Sequence, residues 1–172
     1  TSPSARAYSA MAYDPGRQVM VMFGGVDRTD NSLSDTWEYN GTTWRMLAPA
    51  NEPGAREGHG MIYDSNIKRV VMHGGLVAGA FGRDTWTYDG NDWTQLTPNA
   101  AMAVHGYFAM AYDPGRNVTV LYGGENTMGG NTVVLGETWE FNGTTWTMRT
   151  PAATPGKRTK AVMAYDAGRK QM

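Results

Sequence analysis

Three arginines and a histidine recur at one kind of position in this chain: Arg6, Arg56, His105 and Arg158. Acids recur with them, because Asp35, Asp84 and Glu137 each stand directly before a Thr-Trp pair. A guanidinium meets a carboxylate through two parallel hydrogen bonds. Such a series can grip an acidic ligand or clamp the protein's own acids, and a repeated base with a repeated acid is most simply a structural pair between neighbouring units. His105 breaks the series, so it marks the place where something particular is expected.

Other residues offer weaker chemistry. His59 and His73 are expected on adjacent strands within one residue of register, and two imidazoles can begin a metal site. No third ligand stands nearby, and sister units carry Phe23 and Tyr122 where this one has His73, so packing is the expected role. Asp27, Asp30, Asn31 and Asp35 supply oxygen ligands without the order of an EF-hand loop, which reads as a solvated loop. Phe81 and Arg83, in "AGAFGR", put an aromatic and a cation at a loop tip suited to stacking on a ligand. The chain has no cysteine, which removes thiol nucleophiles, disulfides and Cys-based zinc. No Ser-His-Asp phrase or carboxylate pair argues for a hydrolase, and no metal or cofactor is expected. A net charge of -1 with no basic block argues against nucleic acid. No apolar run nears the roughly 20 residues of a membrane span, so no membrane partner is expected either.

What must position these residues is a repeat. "AYDPGRQVMVMFGG" at 12–25 returns as "AYDPGRNVTVLYGG" at 111–124, with a looser copy at 62–75 and a fourth beginning at 164. Thr36-Trp37 returns as Thr85-Trp86 and Thr138-Trp139, and Trp44 as Trp93 and Trp146, in steps of about 50 residues. Each unit reads as four short strands, in the first about Tyr8–Tyr13, Val19–Phe23, Thr36–Tyr39 and Thr43–Met46, here A to D. The A–B turn is "DPGR", in which Pro presets φ and Gly accepts a left-handed conformation, with Asn66 replacing the glycine in the second unit. Asn40-Gly41, Asp89-Gly90 and Asn142-Gly143 mark C–D hairpins.

These elements, the Arg before the first strand, the Gly-Gly doublet, the Tyr and the Trp, resemble the kelch family over essentially the whole chain. The resemblance is to secreted bacterial or archaeal kelch proteins and to the central domain fold of galactose oxidase. It implies an all-β protein: a β-propeller of four-stranded antiparallel blades, about 5–49, 55–98 and 104–151, with the first strands of a fourth at 157–172. A single blade cannot bury both faces. The six tryptophans are expected to fill the spaces between blades, each worth about 4–6 kcal/mol gross. Met11, Met61, Met110 and Met163 are expected to be core filler. Met172 falls where strand B of a fourth blade would run. The bare flanks are expected to be covered by further blades of a longer chain or, alternatively, by self-association.

A four-strand meander puts the A–B and C–D turns on one rim and the B–C and D–A loops on the other. The first rim is nearly invariant and the second varies, so a ligand site is expected on the second, near the channel mouth. The leading expectation is a non-catalytic scaffold, extracellular or at the cell surface, binding a protein, peptide or glycan. The kelch resemblance adds that arginines at the entrance of strand A can line such a mouth. A sugar mutarotase using Arg56, His105 and Glu125 is the enzymatic alternative, and a self-assembling architectural module the third. The copper-radical chemistry of galactose oxidase needs a cysteine that these residues lack.

Overall fold

The computed structural model describes residues 2–97 and 105–172. All regular structure in them is β. The first repeat folds as β1 (Ala10–Asp14), β2 (Val19–Phe23), β3 (Thr36–Tyr39) and β4 (Trp44–Met46), each antiparallel to the next. The second comprises β5 (Arg56–Glu57), β6 (Gly60–Asp64), β7 (Arg69–His73), β8 (Leu76–Val77), β9 (Ala80–Phe81), β10 (Thr85–Tyr88) and β11 (Trp93–Leu96). The third comprises β12 (Ala109–Asp113), β13 (Val118–Tyr122), β14 (Glu125–Met128), β15 (Asn131–Val134), β16 (Thr138–Phe141) and β17 (Trp146–Arg149). Three four-stranded meanders result: β1-β2-β3-β4, β6-β7-β10-β11 and β12-β13-β16-β17. They are propeller blades.

Residues 152–172 carry the start of a fourth repeat in a reduced form. The A–B turn is reproduced, with Asp166 accepting hydrogen bonds from the amides of Gly168 and Arg169, and one bridge joins Asp166 to Gln171. No strand is formed in this segment beyond that bridge.

The turns work differently from the sequence expectation. Gly16 does not carry the left-handed residue of the A–B turn. That conformation falls two positions later, on Gln18, Lys68, Asn117 and Lys170, with φ between 54° and 57°. Asp14 holds the turn by accepting from the amides of Gly16 and Arg17, and Asp64 and Asp113 do the same in their repeats. Asn66 is therefore accommodated without strain. The C–D turns are four-residue loops capped by Asn40, Asp89 and Asn142, whose side-chain oxygens take two successive amides each.

The two faces of each blade differ. Ala10, Ala12, Val19, Val21 and Phe23 of the first blade meet Met61, Tyr63, Val70, Met72, Tyr88 and Trp93 of the second. Ile62 and Val71 on the other face of the second blade meet Phe108, Leu121, Trp139, Phe141 and Trp146 of the third. A small face thus receives a large one at each junction. The strand-D tryptophan is the key. Trp93 packs edge-on to Phe23 and donates its indole N–H to Thr36 of the preceding blade at 3.0 Å. Trp146 lies against His73 and donates to Thr85 at 3.0 Å. Each also leans on its own strand-C aromatic, at about 5.0 Å, as Trp44 leans on Tyr39.

Not every apolar repeat position is buried. Met61 is 6% exposed between two blades, whereas Met11, its counterpart in the first, is 41% exposed. Met110 is half-buried against the second junction, and Met163 is only partly covered. The expectation of core filler holds for Met61, fails for Met11 and is partly met at Met110 and Met163. The reason is that burial here comes from a neighbouring blade and not from the blade itself.

Candidate functional site

The B–C loops are more ordered than their composition suggests. Ala78-Gly79 and Gly129-Gly130, all at positive φ, close two-residue hairpins. These make the β8–β9 ribbon, which β5 joins as a third strand, and the β14–β15 ribbon. Both stand on the variable rim. Phe81 is thereby fixed on β9, over Gly106, where an added Cβ would meet its ring at 2.6 Å.

Two of the recurring arginines, Arg6 and Arg56, are committed to acids of their own repeats. Arg56 takes both Asp84 oxygens, at 2.9 and 2.7 Å, and donates to the carbonyl of Gly74 at 2.9 Å. Its side chain is 2% exposed. Its main chain meanwhile bonds Leu33 and Gly25 of the preceding repeat. One residue therefore staples two blades, backbone to one and side chain to the next. Arg6 repeats the side-chain half of this, with Asp35 at 2.5 and 2.8 Å and Gly24 at 3.0 Å. Burial pushes the carboxyls of Asp35 and Asp84 up, but their arginines outweigh it and hold both below the usual carboxylate range. The same acids, and Glu137, accept the indole N–H of Trp37, Trp86 and Trp139.

His105 keeps the arrangement with changed lengths. Its main chain bonds Gly82 and Gly75 of the second repeat, and its buried Nε2 lies 3.5 Å from Glu137. A side chain shorter than arginine faces an acid longer than aspartate. Arg158 also docks by its main chain, on Leu135 and Gly124, and its exposed guanidinium caps the carbonyls of Pro155 and Gly156.

The histidine pair does not converge. His59 lies edge-on to Phe23 at the first junction, and His73 lies against Trp146 and Phe108 at the second. They occupy opposite faces of one blade. Trp146 donates to Thr85 Oγ1, which leaves the Thr85 hydroxyl to donate to His73 Nδ1 at 2.9 Å. Burial holds both imidazoles down at about 3. In the 27–35 loop, Asp27 accepts from Thr29 and Asn31, bonds that hold it down at about 2, while Asp35 turns to Arg6. No group of three metal-ligating side chains forms among the described residues.

What does converge is a position that sequence reading passed over, two residues after each Arg or His. Tyr8, Gly58, Tyr107 and Lys160 fill it in the four repeats, all left-handed, with φ between 54° and 62°. Their backbones run in a chain of hydrogen bonds: Gly58 N to Tyr8 O at 2.9 Å, Tyr107 N to Gly58 O at 2.7 Å and Lys160 N to Tyr107 O at 2.7 Å. The side chains gather at the inner end of the arc. Tyr8 and Tyr107 meet edge-to-face at 5.3 Å, in room left by Gly58, where a Cβ would come within 2.6 Å of the Tyr107 ring. Phe81 adds a third ring, 6.3 Å from Tyr107. The Lys160 ammonium lies 5.5 Å from the Tyr8 ring centre and 5.2 Å from that of Tyr107. Burial, then Glu57, push the Tyr107 phenol up. Glu125 accepts a hydrogen bond from Thr159 at 2.7 Å. Arg83 is exposed and lines a shallow hollow of about 380 Å³ with Phe81, Val77 and Asp84. The sequence signal was a position that is Tyr in the first and third repeats but Gly and Lys in the others, between elements that do not change; its left-handed backbone is not readable from residue type.

The second D–A segment, at 98–104 of this rim, lies outside the described residues. A comparison with curated proteins finds no match. The family model of the KLHDC2/KLHL20/DRC7 Kelch-repeats domain matches residues 1–167, and with three kelch blades in the structure the chain belongs to that kelch-repeat family.

Proposed function

We propose that the chain is a non-catalytic scaffold that binds a protein or peptide on its variable rim, centred on Tyr8, Phe81, Tyr107 and Lys160. Kelch repeats commonly mediate protein interactions, which fits a binding scaffold. The observation that carries the choice of surface is the aromatic cluster itself. Tyr8 is 49% exposed at the inner end of the arc, beside loops that differ in every repeat. Exposed aromatic anchors on a rigid frame supply contact area with little entropy to lose. The same rings offer faces to a sugar, so a glycan is the second ligand class. A mutarotase would need Arg56 and His105 open at the mouth; both are buried in the blade body, which supports binding over acid–base chemistry.

Affinity capture with identification of the bound protein tests the surface. Tyr8→Ser and Phe81→Ser should lower retention of that protein about tenfold, the scale of losing an anchor. Thr42→Glu, on the opposite rim, should leave it unchanged. Retention that follows Thr42 and ignores the rim would overturn the reading. A glycan array with the same variants tests the second class.

A further inference from the structure

Lys160 sits in the aromatic cluster as a guest would. Its ammonium faces two tyrosine rings at 5.2 and 5.5 Å, and it forms no ion pair among the described residues. Such contacts are the signature of cation recognition by aromatic rings. The charges around the rings have the matching sign. Glu57 and Glu125 both act on the Tyr107 phenol, and neither is ion-paired among the described residues. Arg6 and Arg56 are tied to Asp35 and Asp84, and Arg83, exposed beside Phe81, lies on the side of that ring where Val77 and Asp84 complete a separate hollow. Two rings, Tyr8 and Tyr107, thus face one solvent-exposed lysine, with Phe81 beside Tyr107 and two carboxylates acting on the Tyr107 phenol, and Tyr8 and Tyr107 both stand on a left-handed backbone.

We propose that this mouth recognises a cationic side chain of a protein partner, the ammonium or methylated ammonium of lysine or the guanidinium of arginine, and that Lys160 fills the cage in the unbound chain. The proposal rests on the scaffold reading above and adds the chemistry of the partner. Binding then exchanges one cation for another: the exposed Lys160 leaves the two rings and the incoming group takes its place on Tyr8 and Tyr107.

An NMR titration of the whole chain tests it, using Nε-trimethyllysine amide and its neutral tert-butyl isostere as probes. The charged probe should bind at least about fivefold more tightly, its methyl protons moving upfield over the rings. Lys160→Gln removes the internal competitor and should tighten the charged probe by about fivefold, while Glu57→Gln should weaken it by a similar factor. The amide spectrum of each variant reports whether the blades are intact. Equal affinity for the two probes, or a Lys160→Gln variant that binds the charged probe no better than the parent, would overturn the proposal. If captured protein still depends on Tyr8 and Phe81 in that case, the scaffold stands and only the cation is lost. If capture loses its rim dependence, the scaffold reading falls independently of the probes.

Discussion

The third repeat replaces arginine by histidine and aspartate by glutamate together. Arg56 with Asp84 and His105 with Glu137 span a similar gap, since one partner lengthens as the other shortens. Each single exchange toward the other repeats should therefore fail: Glu137→Asp falls short, and His105→Arg overfills a fully buried space. Each should lower stability by about 1–3 kcal/mol, and the double variant should recover most of it, as a double-mutant cycle in urea would measure. The buried histidines set a second expectation. His59 and His73 are neutral when folded, their pKa values held down at about 3 by burial, against about 6.5 unfolded. Below pH 6.5 the unfolded chain binds more protons, so stability is full above that value and falls as the pH drops toward 3, by up to ~1.4 kcal/mol per unit for each histidine. The urea midpoint should drop between pH 7 and pH 5, before most carboxylates titrate. His73→Phe, the residue of the first repeat at this position, should flatten that slope; an unchanged slope would show that His73 is not its source.

At the level of elements, burial of a strand position is decided by the next sheet. Met11 and Met61 are the same residue on equivalent strands, and only Met61 has a blade against it. Met61→Ala should cost about 2–4 kcal/mol, as a cavity in a packed junction does, whereas Met11→Ala should stay within about 0.5 kcal/mol. Thermal or urea unfolding of the two variants side by side checks this, and equal losses would contradict the packing described. Within the blade, the four strands and the place of the A–B turn were readable from the repeated phrases, with strands B and C matched and strand A shifted from Tyr8–Tyr13 to Ala10–Asp14; the left-handed residue of the turn was not. The rim ribbons were less so. Two-residue β strands such as Leu76–Val77 carry too little pattern, and they form because β5, about 20 residues earlier in the same repeat, is brought beside them.

For the whole molecule, the outward face of the first blade leaves Met11, Tyr13 and Met46 exposed, and Val162 in the fourth repeat is 97% exposed. Apolar flanks of this kind drive association. The 172-residue chain should show an average mass rising above 18.8 kDa with concentration in sedimentation, and Met11→Lys with Met46→Lys should reduce the rise. A mass constant at the monomer value over the accessible range would contradict that. The amino-acid sequence by itself determined the repeat, the four-strand unit, the turn residues and the rim on which variation is concentrated. Those are local matters, set by periodicity, glycine and Asx chemistry within a few residues of one another. Only the tertiary structure decided that Arg56 is a staple, that His59 and His73 face away from each other, and that Tyr8, Tyr107 and Lys160 meet. These depend on side-chain direction around an axis, and residues about 50 or 100 positions apart become neighbours only when the blades stack.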